Sequence, residues 1–133
     1  MNDPLIFIVD DDPLFLKLVT FSLIKVFRNI KTFTSGESVI EHIKNVEHPD
    51  IIITDYYMEG ITGLEVLKEV KNLNNSIKVI FYTGQGGIKN AIRVINMGAH
   101  DYIIKSPGSY KYLIKSIKEL NRTEDKLDYF SVN

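Results

Sequence analysis

Acidic, hydroxyl and amino side chains follow short apolar runs of the sequence. Asp10 and Asp11 come directly after the first run, and Asp55 follows the third. Thr83 ends the fourth run, and Lys105 follows the fifth. Carboxylate oxygens are typical Mg²⁺ ligands, and a carboxylate nucleophile beside a metal, an ammonium and a hydroxyl suits phosphoryl transfer. These residue types therefore predict a Mg²⁺ site, with Mn²⁺ as a substitute, at which an aspartyl phosphate forms.

The predicted cluster needs a cation for electrostatic reasons. Asp12 precedes Pro13 and is predicted to cap a helix, which leaves Asp10, Asp11 and Asp55 in one small concavity. Three carboxylates so close together raise each other's pKa unless a positive charge neutralises them. A hard divalent ion can bind through such carboxylates and a phosphate together.

The elements that must position these residues alternate along the chain. Five short runs with little polar alternation read as strands, and segments with helical periodicity separate them. The predicted strands are 5–9, 30–33, 51–54, 79–82 and 102–104. Strands of this kind are typical of a parallel sheet that helices cover on both faces.

Helix start and stop signals lie between the strands. In chain order they are Asp12 with Pro13, Ser35, a capping box from Thr62 to Glu65, and Gly98 after the fourth helix. The first helix is predicted to extend to about Phe27, and the third to end near Leu73. The buried stripe is predicted to be Ile88, Ala91, Ile92 and Ile95 in the fourth helix, and Leu113, Ile117 and Leu120 in the fifth.

Five strand and helix rounds in this length predict a doubly wound, five-stranded parallel α/β sheet. Ligands of such sheets bind beyond the carboxyl ends of the strands, where the strand order reverses. The candidate residues follow strand ends, so the fold itself predicts where the site lies.

Composition limits the function classes. The 133 residues, 44% of them hydrophobic and 25% charged, predict one globular domain over 1–121, with 122–133 as a frayed tail or the start of a linker. A net charge of −1 does not favour direct nucleic-acid binding. The absence of cysteine and of a long apolar run predicts a cytoplasmic protein that does not enter a membrane.

Over 5–120 the sequence resembles the receiver domains of two-component response regulators, whose fold is the flavodoxin-like (βα)5 arrangement. The resemblance lies in five segments. They are Ile-Phe-Ile-Val-Asp-Asp-Asp-Pro at 6–13, Ile-Ile-Ile-Thr-Asp at 51–55, Met58 with Gly60, Gly63 and Leu64, Val-Ile-Phe-Tyr-Thr-Gly at 79–84, and Gly-Ala-His-Asp-Tyr-Ile-Ile-Lys at 98–105.

The resemblance implies a Mg²⁺-dependent phosphoacceptor site. It implies that Asp55 takes a phosphoryl group from a phospho-histidine, that Asp11 binds Mg²⁺ directly, and that Asp10 binds it directly or through water. It further implies that the backbone carbonyl of Tyr57 and the Asp55 carboxylate complete the protein's metal ligands. Met58 and Gly84 are implied neighbours of the phosphate loop.

The resemblance also implies a switch. Thr83 and Lys105 would bind phosphoryl oxygens, and Tyr102 would turn inward as Thr83 moves toward the phosphate. The fourth helix, fifth strand and fifth helix would then carry the signal and could form a dimer. The implied partners are a sensor histidine kinase or phosphotransfer protein, and a downstream protein or fused effector domain. Such a domain is not an enzyme beyond catalysing its own phosphorylation and dephosphorylation.

The sequence departs from the family pattern at three places. Glu59 stands where the family often has proline. Ser106 separates Lys105 from Pro107, and the sequence leaves open which bond there is cis. Tyr57 is bulky, so we expect it, with Gln85, to border the path of attacking water and to slow hydrolysis of the aspartyl phosphate.

A haloacid-dehalogenase-type phosphatase is the alternative enzyme hypothesis. Such enzymes use an aspartate after the first strand, a second aspartate two residues on, a strand-end threonine and a lysine, which Asp10, Asp12, Thr83 and Lys105 could supply. Pro13 and Leu14 replace the Gly-Thr type of pair expected there, and Asp55 would have no role. The sequence therefore favours the receiver hypothesis.

Overall fold

The computed structural model describes the backbone of residues 3–84 and 86–132, and the side chains within this part up to residue 121. The strands are β1 Leu5–Val9, β2 Asn29–Phe33, β3 Ile51–Thr54, β4 Lys78–Thr83 and β5 Asp101–Ile104. The helices are α1 Pro13–Leu23, α2 Gly36–Asn45, α3 Gly63–Leu73, α4 Ile88–Asn96 and α5 Tyr110–Val132. Strands and helices alternate along the whole described chain.

The five strands form one parallel sheet in the order β2-β1-β3-β4-β5. This order confirms the predicted doubly wound, flavodoxin-like fold. The chain moves outward from β1 to β2 on one side and continues through β3 to β5 on the other. The order therefore reverses beside β1 and β3, which is where this fold class binds ligands.

The sheet separates two hydrophobic cores, because successive strand residues point to opposite faces. Phe7 and Phe81 belong to the core that also contains side chains of α2, α3 and α4. Ile6, Ile8 and Ile53 belong to the core that contains side chains of α1 and α5. All five are at most 2% exposed, so both faces hold the central strands rigidly.

The predicted helix caps are confirmed. The Asp12 side chain accepts hydrogen bonds from the backbone N–H groups of Leu14 and Phe15. Ser35 caps α2, and Thr62 forms a capping box with Glu65 at the start of α3. Gly98 follows α4 with a φ of +103°, a left-handed conformation that glycine adopts without steric cost.

The first helix is shorter than predicted. It ends at Leu23, and the N–H groups of Val26 and Phe27 both donate to the Leu23 carbonyl in a turn. Phe27 is nevertheless buried in the core under α1 and α5. The apolar periodicity of the sequence extends past the end of the helix because the loop that follows Leu23 still brings Phe27 into the core.

The predicted buried stripe of α4 is wrong. Ile88, Ile92 and Ile95 are 76%, 54% and 44% exposed, and Ala91 is half-buried. Within Ile88–Asn96, all of which the structure describes, only Val94 is buried. The helix packs beside β5, the edge strand, so the sheet offers it a narrow surface. Its isoleucines instead form an exposed apolar face.

The fifth helix buries Leu113, Ile117 and Leu120, as predicted. The backbone continues as helix to Val132, where the sequence predicted a frayed tail. Helical periodicity is weak in this polar segment, which explains the difference. The proposed domain boundary at 121 stays a prediction. No described helix is long and apolar enough to cross a membrane.

Gly63 permits a close approach between α3 and the end of β3. A Cβ at this position would lie 2.1 Å from the Asp55 carbonyl oxygen. We predict that Gly63→Ala lowers the free energy of unfolding by about 3 kcal/mol, measured by urea denaturation. The reason is that the backbone at Asp55 or at the start of α3 must move to make room for the added methyl group. Gly84→Ala is the control, since its Cβ would lie 3.8 Å from the nearest atom. Equal stability of the two variants would contradict this account.

Candidate functional site

Backbone hydrogen bonds extend the sheet past its strand ends and fix the candidate residues. The N–H of Asp10 donates to the Phe33 carbonyl (3.1 Å), and the N–H of Asp55 donates to the Val9 carbonyl (3.2 Å). On the far side, the N–H of Lys105 donates to the Thr83 carbonyl (2.8 Å). The site is therefore positioned by the sheet and not by free loops.

Lys105 joins two carboxylates from different strand ends. Its Nζ donates to Asp10 Oδ2 at 2.7 Å and to Asp55 Oδ2 at 3.0 Å. The side chains are 15%, 5% and 13% exposed, respectively, so water screens these ion pairs much less than surface pairs. The structure thus brings together residues that are 95 and 50 positions apart in the sequence.

Asp10, Asp11 and Asp55 form the acidic pocket, in which one carboxylate oxygen from each residue lies within 4.8 Å of the others. With Lys105, three carboxylates and one ammonium leave a formal charge of −2, which a divalent cation would balance. All three donors are carboxylate oxygens, which are ligands that Mg²⁺ prefers. The residues present therefore fit the predicted ion.

Burial governs the electrostatics of the acidic pocket. Burial raises the pKa of Asp10 above its ordinary value, although the hydrogen bonds from Lys105 and from the Asp12 N–H oppose this effect. Burial alone lowers the pKa of Lys105, but the hydrogen bonds to Asp10 and Asp55 outweigh it and the pKa of Lys105 is raised. The lysine therefore stays charged.

Asp11 is held by a backbone group that sequence reasoning missed. The N–H of Glu59 donates to Asp11 Oδ2 at 2.8 Å. A proline, which the family often has at this position, has no N–H and could not make this bond. The Glu59 substitution was visible in the sequence, but its contact with Asp11, 48 residues away, was not.

The remaining oxygen of Asp55 is also engaged. The N–H of Tyr56 donates to Asp55 Oδ1 at 2.7 Å. Tyr56 is buried and belongs to the core under α2, α3 and α4. The Asp55 carboxylate is therefore oriented by two donors, one from the next residue of the chain and one from Lys105.

Thr83 and Tyr102 lie on the two strands beyond β3. Thr83 is fully buried at the end of β4. Tyr102 is half-buried, and its ring stacks against Phe81 with 6.0 Å between centroids. Burial raises the pKa of the Tyr102 phenol, and an interaction with the Asn90 side chain opposes this effect. Asn90 was not predicted as a site residue.

The loop residues predicted near the phosphate have different surroundings. Met58 is buried, whereas Gly84 is exposed beside Lys105. Tyr57 is half exposed, and its hydroxyl accepts a hydrogen bond from Asn90 at 3.1 Å. Gln85 lies outside the described residues. Among the described residues there is no cis peptide bond, so the bonds between Lys105 and Pro107 are trans.

Residues 6–118 match the family described as the response regulator receiver domain. The chain belongs to this family. The heme response regulator HssR of Staphylococcus epidermidis is 34% identical over 115 residues, which make up 86% of this chain and 50% of that protein. This receiver domain spans about half the length of the first curated relatives it matches.

Solved receiver structures share the architecture of this receiver domain. The CheY-like receiver protein of Methanospirillum hungatei has a TM-score of 0.83 at 26% identity, over 93% of this chain and 98% of that chain. A receiver domain from Clostridium thermocellum has a TM-score of 0.80 at 28% identity, over 92% and 97% of the two chains. The receiver fold is therefore shown by sequence and by structure.

The bond from Glu59 to Asp11 leads to a prediction about metal affinity. Glu59→Pro removes the N–H donor, so we expect the Mg²⁺ dissociation constant, measured by calorimetric titration, to rise roughly threefold to tenfold. Glu59→Gln is the matched control, because it removes the side-chain charge and keeps the N–H. Equal Mg²⁺ affinities of the proline and glutamine variants would show that the bond does not support the site.

Proposed function

We propose that Asp55 of this receiver domain accepts a phosphoryl group from a phospho-histidine of a sensor kinase or phosphotransfer protein. In this step the Asp55 carboxylate forms a bond to phosphorus, and the bond from phosphorus to the histidine nitrogen breaks. The observation that carries the proposal is the position of Lys105 between Asp10 and Asp55. A phosphoryl group on Asp55 would meet a fixed cation there.

Each residue of the site has a separate role in the proposal. Asp10, Asp11, Asp55 and the backbone carbonyl of Tyr57 would hold Mg²⁺, which supplies charge neutralisation for the incoming phosphate. Lys105 neutralises a second oxygen of the phosphoryl group. Thr83, at the end of β4, would donate its hydroxyl proton to a third oxygen. Little covalent chemistry remains for the protein, because positioning and charge drive phosphoryl transfer.

The phosphatase alternative receives no support from the comparisons. In the structure Asp12 is exposed and its carboxylate caps α1, whereas the alternative requires it to act beside Asp10. The residue that shares an ion-paired lysine with Asp10 is instead Asp55.

Response regulators work with sensor kinases and effectors. The exposed apolar face of α4 indicates where this domain meets a downstream partner. Ile88, Ile92 and Ile95 are exposed on α4, and Ile104 of β5 is 41% exposed. Several exposed apolar side chains on one helix face are typical of interaction sites. We propose that the α4-β5-α5 face binds a downstream protein, a fused effector domain or a second copy of this domain.

The proposed phosphorylation depends on Asp55 and on a divalent ion. We predict that acetyl phosphate modifies the protein when Mg²⁺ or Mn²⁺ is present and that a chelator abolishes modification, because the acidic pocket repels the phosphodonor. Asp55→Asn should lose the phosphoryl adduct, measured by intact-protein mass spectrometry, while keeping the circular dichroism spectrum of the wild type.

Two variants separate the proposal from its alternative. Asp12→Asn keeps a capping side chain at α1, so it should be phosphorylated like the wild type. Under the phosphatase hypothesis it would instead lose activity, and Asp55→Asn would not. Normal labelling of Asp55→Asn would refute the assignment of the phosphoacceptor.

Tyr57 leads to a prediction about the lifetime of the phosphorylated state. Its ring packs against Tyr56 at 4.7 Å between centroids, and we propose that it borders the path of water that attacks in line. We expect the phosphorylated Tyr57→Ala variant to decay severalfold faster than the wild type, measured by the loss of adduct after the phosphodonor is removed. Tyr57→Phe keeps the ring and should decay at the wild-type rate. An unchanged or slower decay of the alanine variant would show that the ring does not shield the site.

A further inference from the structure

The Lys105 ammonium contacts an aromatic ring as well as two carboxylates. Its Nζ lies 3.8 Å from the centroid of the Phe15 ring. An ammonium has three N–H groups, and those that face Asp10 and Asp55 account for two. The ring face, which carries the negative part of the aromatic quadrupole, meets the remaining positive surface. Lys105 is thus enclosed by two carboxylates and one ring.

We propose that Phe15 is a positioning residue for Lys105, because its ring holds the lysine ammonium over the acidic pocket. The proposal rests on the proposed function of Asp55, and it adds a residue from α1 to the phosphoryl-binding groups. Neither the acidic residues nor the strand-end motifs of the sequence include Phe15, which lies four positions after Asp11.

Phe15 is itself fixed from two sides. Its backbone N–H donates to the capping carboxylate of Asp12 at 3.3 Å, which sets its place in the first turn of α1. Its ring packs against Tyr82 at 5.8 Å between centroids. The Tyr82 hydroxyl hydrogen-bonds to the buried Ser109 hydroxyl, which also accepts from the N–H of Ser106. The ring is therefore tied to the loop that carries Lys105.

An aromatic ring suits this position for a physical reason. If Asp10 and Asp55 held a metal ion, their oxygens would no longer bind Lys105 alone. A further carboxylate beside the lysine would hold it but would also repel the phosphoryl group. The Phe15 ring attracts the ammonium without adding net negative charge. An aliphatic side chain would fill the space and lack this attraction.

The first test asks whether the ring and the lysine are in contact in solution. The aromatic ring current should shift the Lys105 side-chain methylene resonances upfield from those of the other lysines in the wild-type NMR spectrum. Phe15→Leu should return them to ordinary values. This readout needs neither metal nor phosphodonor, so it is independent of the proposed function. Unshifted wild-type resonances would overturn the proposal.

The second test separates cation attraction from packing. Phenylalanines with one, two and three ring fluorines at position 15 keep the ring shape and progressively weaken its quadrupole. We expect the rate of phosphorylation by acetyl phosphate with Mg²⁺ to decline stepwise across the series, by about twofold to fivefold in total. The same series at Phe21, an exposed phenylalanine of α1, should leave the rate unchanged.

A Lys105→Ala background completes the double-mutant cycle, because the fluorine effect should disappear once the ammonium is absent. A rate that stays flat across the series at position 15 but decreases in Phe15→Leu would show that the ring only packs, and would overturn the proposal. The same conclusion follows if the fluorine effect persists without Lys105. Failure of wild-type protein to label would instead refute the proposed function, and the NMR shifts would still report whether Phe15 holds Lys105.

Discussion

The ammonium of Lys105 lies between carboxylates that the fold brings from the ends of β1 and β3, and this ion triad is the constraint on which the site depends. Without the lysine, Asp10, Asp11 and Asp55 would crowd three negative charges at one edge of the sheet. The single positive charge lessens this repulsion but does not remove it. The fold can therefore hold the three carboxylates together, and the net negative charge of the acidic pocket still favours a divalent ion.

The arrangement follows from parallel strands with two covered faces. In such a sheet all carboxyl ends point the same way, so residues distant in sequence meet wherever the strand order reverses. One core holds Phe7 and Phe81, and the other holds Ile6 and Ile80, all with no exposed surface, which leaves the strand ends little freedom. The loops can vary, as Glu59 and Ser106 do, because the backbone bonds beyond each strand already fix Asp10, Asp55 and Lys105.

The features that the sequence predicts correctly are local or follow from the order of strands and helices along the chain. The cap at Asp12, the capping box from Thr62 to Glu65 and the residues after each strand depend on near neighbours in the chain, so pattern and propensity suffice. The exposed isoleucines of α4 were mispredicted because amphipathicity shows that a helix has an apolar face, not what covers it. The contacts from Glu59 to Asp11 and from Phe15 to Lys105 depend on distances between elements, which no local pattern encodes.

Asn90 connects the two parts of the molecule that the site and the exposed α4 face occupy. It lies in the first turn of α4, and its side chain donates a hydrogen bond to the hydroxyl of Tyr57, two residues after Asp55. The same side chain interacts with the phenol of Tyr102 in β5. Tyr102 in turn stacks on Phe81 in the core. A movement of Tyr57 away from Asn90 therefore breaks a hydrogen bond to α4, the helix that carries Ile88, Ile92 and Ile95. When such a contact is present in one conformation and absent in another, a charge added at one place can change the preferred position of a helix at another.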